Sequence, residues 1–115
     1  MKIYLIITLI LYHSYLVTPS NSEEKLITDG YELRQLNFEL FQASKEGNLA
    51  NVIKFINKGA SVDSRNRFGN TALHYAARNG SIEVISFLLK NGADINKKNL
   101  SGKNAFLESL ISGNK

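Results

Sequence analysis

Gly69-Asn70-Thr71-Ala72-Leu73-His74-Tyr75-Ala76-Ala77-Arg78-Asn79-Gly80 is the stretch on which the reading of this sequence turns. Thr71 is a residue type that caps helices through its hydroxyl. Ala72, Leu73, Ala76 and Ala77 follow at helical spacing, and the two alanines are small enough for close helix contact. Gly80 ends the helix in the left-handed conformation that glycine tolerates. Ser81 stands where it can cap a second helix, along which Ile82, Ile85, Leu88 and Leu89 give an apolar stripe. Asn91-Gly92 ends that helix, and Ala93-Asp94-Ile95-Asn96 leads into a turn. Two short antiparallel helices and a projecting turn make a unit that cannot bury its apolar face alone.

Working outward, the unit repeats every 33 residues. One period back, Gly80 falls on Gly47, Ala76 on Ala43, Leu73 on Leu40, Gly92-Ala93 on Gly59-Ala60 and Leu88-Leu89 on Phe55-Ile56. One period forward, Gly69 falls on Gly102, Ala72 on Ala105, Leu73 on Phe106 and Gly80 on Gly113. A fixed period of this length is the signature of a solenoid.

The segment from Gly69 to Gly80, with Leu88-Leu89-Lys90-Asn91-Gly92-Ala93-Asp94-Ile95-Asn96, resembles an ankyrin repeat. Thr71-Ala72-Leu73-His74 stands for the family's Thr-Pro-Leu-His; alanine in place of proline gives up a preset helix start but suits a first helical turn. The resemblance covers residues 33–113. It implies an all-α ankyrin-repeat solenoid of helix-turn-helix units with short β-hairpin-like turns. The expected layout is a degenerate repeat at 33–65, where Phe38-Glu39-Leu40-Phe41 replaces the motif, a full repeat at 66–98 and a partial repeat at 99–115. Residues 23–32 are read as a linker.

The chain opens Met1-Lys2 and then runs apolar from Ile3 to Leu11, weakening through Val17 before Thr18-Pro19-Ser20-Asn21-Ser22. One positive charge, a short apolar run and small residues make a signal peptide over residues 1–22, cleaved after Ser22. That implies a secreted or exported protein and a hydrophobic signal helix before the solenoid. The alternative is a membrane anchor over residues 3–17, for which the run falls short of the ~20 apolar residues of a span. His13 belongs to this segment.

Several chemistries find no support. The 115 residues include no cysteine, which rules out disulfides, thiolate metal sites and a cysteine nucleophile. His74 lacks partners at metal-ligand spacing. Gly69 and Gly80 punctuate the repeat and form no phosphate cradle. No nucleophile stands beside a base. The chain therefore reads as no enzyme, with no cofactor, no metal and no small-molecule substrate. Asp63, Asp94 and Asn96 read as turn residues bonding to nearby backbone. Asn79-Gly80-Ser81 and Asn99-Leu100-Ser101 match the glycosylation triplet, of which chance supplies roughly one or two in a chain this rich in Asn, Ser and Thr.

In the resemblance, Thr71 and His74 hydrogen-bond each other and brace the turn, and Gly80 and Gly92 close the helices. Partners contact turn tips and the first-helix face, here Arg65, Arg67, Phe68, Asn70, Tyr75, Arg78, Asn79, Lys98, Leu100, Ser101 and Lys103. That set is basic, whereas residues 23–50 carry Glu23, Glu24, Asp29, Glu32, Glu39 and Glu46. It also holds Phe68 and Leu100, apolar where solvent is expected. The expectation is a protein-protein interaction module binding an unknown protein, one with an acidic surface. A nucleic-acid-binding surface has only the basic cluster behind it, since a net charge of +4 is small. A gene remnant without function is the last reading.

Overall fold

A computed structural model describes residues 22–113, so the expected leader lies outside the described residues except for Ser22. Five helices follow in order: α1 (Ser22–Glu46), α2 (Leu49–Asn57), α3 (Ala72–Asn79), α4 (Ile82–Lys90) and α5 (Ala105–Gly113). There is no strand among the described residues, as the all-α expectation requires. The chain divides into two units at Glu32 and Leu33. Within the first, residues 22–32 are the opening stretch of α1, so the segment read as a linker is helical. The sequence from Glu32 to Glu46 holds no proline and is rich in Leu, Glu and Gln, which lose little side-chain freedom in a helix.

In the second unit α1 ends at Glu46, and Gly47 turns the chain left-handed at φ 69°. Asn48 caps α2, its Oδ1 accepting the Asn51 N–H at 3.1 Å. The same turn recurs one period on, where Gly80 closes α3 at φ 75°. Ser81 occupies the capping position of α4, yet its hydroxyl makes no capping bond; the glutamate Glu83 lies in that first turn instead. Asn91 ends α4 and Gly92 follows at φ 90°.

One apolar core joins the helices. Leu40 and Ala43 of α1, Val52 of α2, Ala72, Leu73, Ala76 and Ala77 of α3, Val84 and Leu88 of α4, and Ala105 of α5 are buried in it. The α3 helix packs against α4 and against α5, and α2 packs against α4. Phe41 of α1 meets Tyr75 of α3 with ring centroids 6.1 Å apart. Small residues along α3 let its neighbours come close on more than one side, the packing use foreseen for the alanines.

The stripe expected on α4 is corrected in detail. Val84 and Leu88 are its buried residues, with Ile85 and Phe87 packed beside them, while Ile82 is 76% exposed and Leu89 39%. Ile82 is the first helical residue, two positions before Val84, where burial begins. Leu89 sits about 100° around the helix from Leu88.

Candidate functional site: the stacked turn tips

The turns between repeats are built on asparagine. Asn66 Oδ1 accepts the N–H groups of Phe68 and Asn70, each at 3.0 Å, and the Asn66 N–H donates to the Asn70 carbonyl at 3.0 Å. Asn99 repeats the pattern: its Oδ1 accepts from Ser101 and Lys103, each at 3.0 Å, and its N–H donates to the Lys103 carbonyl at 2.9 Å. Each asparagine thus folds its own tip, leaving the intervening side chains outward. The motif Asn-x-x-Gly at 66–69 and 99–102 carries this pattern at the 33-residue period, so the signal was in the sequence; among turn residues it did not stand out.

Successive tips are bonded to one another. Leu100 N–H donates to the Phe68 carbonyl at 3.0 Å. Arg65 Nη2 donates to the Lys98 carbonyl at 2.6 Å. Asp63 Oδ1 accepts the Asp94 N–H at 3.0 Å, and Lys97 Nζ lies 3.9 Å from Asp63 Oδ2. Asp94 and Asn96 follow the expected local turn, the Asn96 N–H donating to Asp94 Oδ1 at 2.9 Å. Asp63 instead reaches the backbone of the next repeat.

Thr71 and His74 bond as expected, with Thr71 Oγ1 and His74 Nδ1 2.8 Å apart. Thr71 N–H also donates to that nitrogen, at 3.1 Å. His74 Nε2 lies 2.9 Å from the Lys103 carbonyl, which only accepts, so Nε2 carries the hydrogen and Nδ1 is the acceptor. The histidine braces its own turn and clamps the following repeat. Both residues are buried, His74 at 1% exposure.

A buried polar cluster lies beside them. Asn99 Nδ2 donates to Asn70 Oδ1 and to Glu108 Oε1, both at 2.9 Å. Arg78 closes on Glu108 Oε2, with Nη2 at 3.1 Å and Nε at 3.2 Å. Asn70 is therefore buried, and its side chain is withdrawn from any partner because it is needed inside. Arg78 is half exposed and spent on Glu108; it also lies 5.5 Å from the centroid of the Tyr75 ring. Tyr75 is half-buried, its hydroxyl accepting from Asn66 Nδ2 at 2.5 Å. Neither Asn66 nor Glu108 was singled out from sequence, and Asn99 only as part of a glycosylation triplet.

What reaches solvent is a narrower set. Phe68 is 53% exposed with the Arg67 guanidinium 4.8 Å from its ring centroid, and Leu100 is 80% exposed. Lys98, Ser101 and Asn79 are exposed and Lys103 is half-buried. The Leu100–Phe68 backbone bond places the two apolar side chains on neighbouring tips, with Arg67 and Lys98 next to them in sequence. Of the two glycosylation triplets, that at Asn99 has its side chain buried and fully bonded, and that at Asn79 is exposed. Among the described residues no group of three or more His, Cys, Asp or Glu is placed to hold a metal ion. No described helix is long and apolar enough to cross a membrane.

A family model described as ankyrin repeats (3 copies) matches residues 26–115. An ankyrin repeat-containing protein of Caenorhabditis elegans is 38% identical over 72 residues, 63% of this chain and 6% of that protein. The Arf-GAP with coiled-coil, ANK repeat and PH domain-containing protein 2 of Gallus gallus is 34% identical over 87 residues, 72% of this chain and 11% of its own. Ankyrin repeat domain-containing protein 39 of Homo sapiens is 40% identical over 63 residues, covering 53% of this chain and 34% of its own. The chain thus spans only a small part of each of these relatives.

Proposed function

We propose, on the premise that this chain belongs to the ankyrin-repeat family, that it is a non-catalytic protein-protein interaction module whose turn tips bind an acidic, partly apolar protein surface. The observation that carries this reading is the pair of exposed apolar side chains, Phe68 and Leu100, on neighbouring tips joined by the Leu100 N–H to Phe68 carbonyl bond. Aromatic residues and arginine are the usual anchors of interfaces, and Arg67 lies over the Phe68 ring. Arg67 and Lys98 give the site its sign. Arg65, Lys97 and Arg78 contribute less, because each is engaged within the chain.

The test is capture of partners by the immobilised chain and by Arg67→Glu with Lys98→Glu. The tip variant should lose capture, and Lys54→Glu with Lys58→Glu on the α2 side should keep it. Capture that survives reversal at the tips would move the site elsewhere. A nucleic-acid partner would instead show binding that falls steeply with salt across many sequences.

Export is proposed alongside, supported by the charge and apolar run of residues 2–17. Mass spectrometry of the N-terminus from cells decides it. A chain beginning near Glu23 supports export with cleavage, and a membrane-bound chain that keeps residues 3–17 supports a tethered module.

A further inference from the structure

Two of the chain's 13 asparagines are followed by glycine, in Asn79-Gly80 and Asn91-Gly92. Asparagine is thermolabile, and a following glycine, with no side chain to shield it, leaves its amide nitrogen free to attack the carboxamide. Each pair follows a basic residue, Arg78 or Lys90, and each stands at the C-terminal end of a helix, so the sequence hardly separates them. Their settings differ. The Gly80 N–H is held by two carbonyls, Ala76 at 3.0 Å and Ala77 at 3.1 Å. The Asn79 carboxamide is packed against the turn between α1 and α2, since a Cβ added at Gly47 would run into its Nδ2. The Gly92 N–H has one acceptor, the Leu89 carbonyl at 3.2 Å. Asn91 has already left helical geometry, at φ −95° and ψ 18°. Its Nδ2 is tied only within its own helix, to the Phe87 carbonyl at 2.8 Å.

We propose that Asn91 is a site of spontaneous, enzyme-free modification, converted through a cyclic imide to aspartate and isoaspartate, and that the conversion uncaps α4. The Gly92 nitrogen gives its proton to solvent base and bonds to Asn91 Cγ. The Cγ–Nδ2 bond breaks, and the nitrogen leaves as ammonia with a proton from water. A second water opens the ring. Opening at Cγ gives aspartate. Opening at the backbone carbonyl gives isoaspartate, whose main chain runs through Cβ and Cγ. Nothing is oxidised or reduced.

Ring closure at Asn91 needs the release of Gly92 from Leu89 and of Asn91 Nδ2 from Phe87, both among exposed groups at a helix end. Such ends open far more often than packed interiors. At Asn79 the same step must free an amide held by two carbonyls of α3, whose residues Ala76 and Ala77 are buried in the core. It must also lift a carboxamide off the neighbouring repeat. The product at Asn91 does not restore what was lost. Aspartate has no donor for the Phe87 carbonyl and brings negative charge to the negative end of the α4 dipole. Isoaspartate inserts a backbone atom before Ala93, whose N–H bonds the Leu88 carbonyl at 3.0 Å. Either product loosens the last turn of α4, and the loss of ammonia makes the change one-way.

The test incubates the full chain at mildly alkaline pH, folded and in urea, and follows each asparagine by peptide mass spectrometry, with isoaspartate separated by chromatography. In the folded chain Asn91 should convert at least about tenfold faster than Asn79, and in urea the two rates should converge to within about twofold. Asn91→Asp should speed amide exchange in the last turn of α4 by about tenfold and leave α3 unchanged. Equal rates in the folded chain, or a faster Asn79, overturn the proposal. So does conversion at Asn91 no faster than at asparagines without a following glycine, or a preference for Asn91 that persists undiminished in urea. An α4 whose exchange is the same in Asn91→Asp overturns the uncapping.

Discussion

Gly69 and Gly102 have the same backbone, with φ of 75° and 74°, and differ in what surrounds them. A Cβ at Gly69 would come within 2.9 Å of the Leu100 nitrogen and 3.2 Å of the Asn99 Cα, whereas nothing lies within 4 Å of one at Gly102. Alanine at either site costs about 1–2 kcal/mol for the left-handed conformation. Only at Gly69 does it also push two backbones apart. Gly69→Ala should therefore destabilise the chain by at least about 1 kcal/mol more than Gly102→Ala in urea titrations. Ser44 gives the opposite sign. Its hydroxyl is buried with no hydrogen-bond partner, where α3 carries Ala77 at the equivalent place. Ser44→Ala is expected to raise stability by roughly 1 kcal/mol. His74→Ala strips the Thr71 N–H and the Thr71 hydroxyl of their partner and leaves the Lys103 carbonyl with the Asn99 N–H but without its bond to the histidine ring. It should lower the melting temperature, with a cost of about 2–4 kcal/mol, and leave partner choice intact, which capture below the melting transition would check.

At the scale of the element, α5 is held by polar contacts as much as by its apolar ones. Arg78 and Glu108 join helices 30 residues apart, the carboxylate buried and the guanidinium partly in water. A double-mutant cycle with Arg78→Met and Glu108→Gln should give a coupling of about 1 kcal/mol, reduced by salt because one partner is exposed. A coupling near zero would mean that Asn99 alone holds the carboxylate. Nothing local in the sequence announces this pair. The 33-residue register did announce α3, α4 and the glycine that closes α3, and the ankyrin resemblance implied the Thr71–His74 bond, since each depends on residues within one unit. It did less well on which way a helix faces. Periodicity marks a stripe, and the stripe through Ile82, Ile85, Leu88 and Leu89 is rotated from the one that is buried. The site was legible to the same degree. Phe68, Leu100, Arg67 and Lys98 lie at exposed tips, whereas Asn70 is drawn inside by a partner 29 residues away.

Over the whole of residues 33–113, stacking predicts a gradient of stability. The α3 helix is packed by neighbours within the core, and α5 leaves its apolar face open. In an array whose units contact only their neighbours, local opening starts where contacts are fewest. Amide exchange should then be slowest in α3 and faster in α5. Uniform protection across both would show a single all-or-none transition. The tip bonds have a consequence of a different kind. Among the described residues Leu100 has the most exposed of the large apolar side chains, yet its own amide is tied to the preceding repeat. A side chain presented on backbone already fixed gives up little conformational freedom when it docks, so less of the contact energy is cancelled by ordering. Binding at this residue is accordingly pre-organised: the tip meets its partner in the shape it will keep.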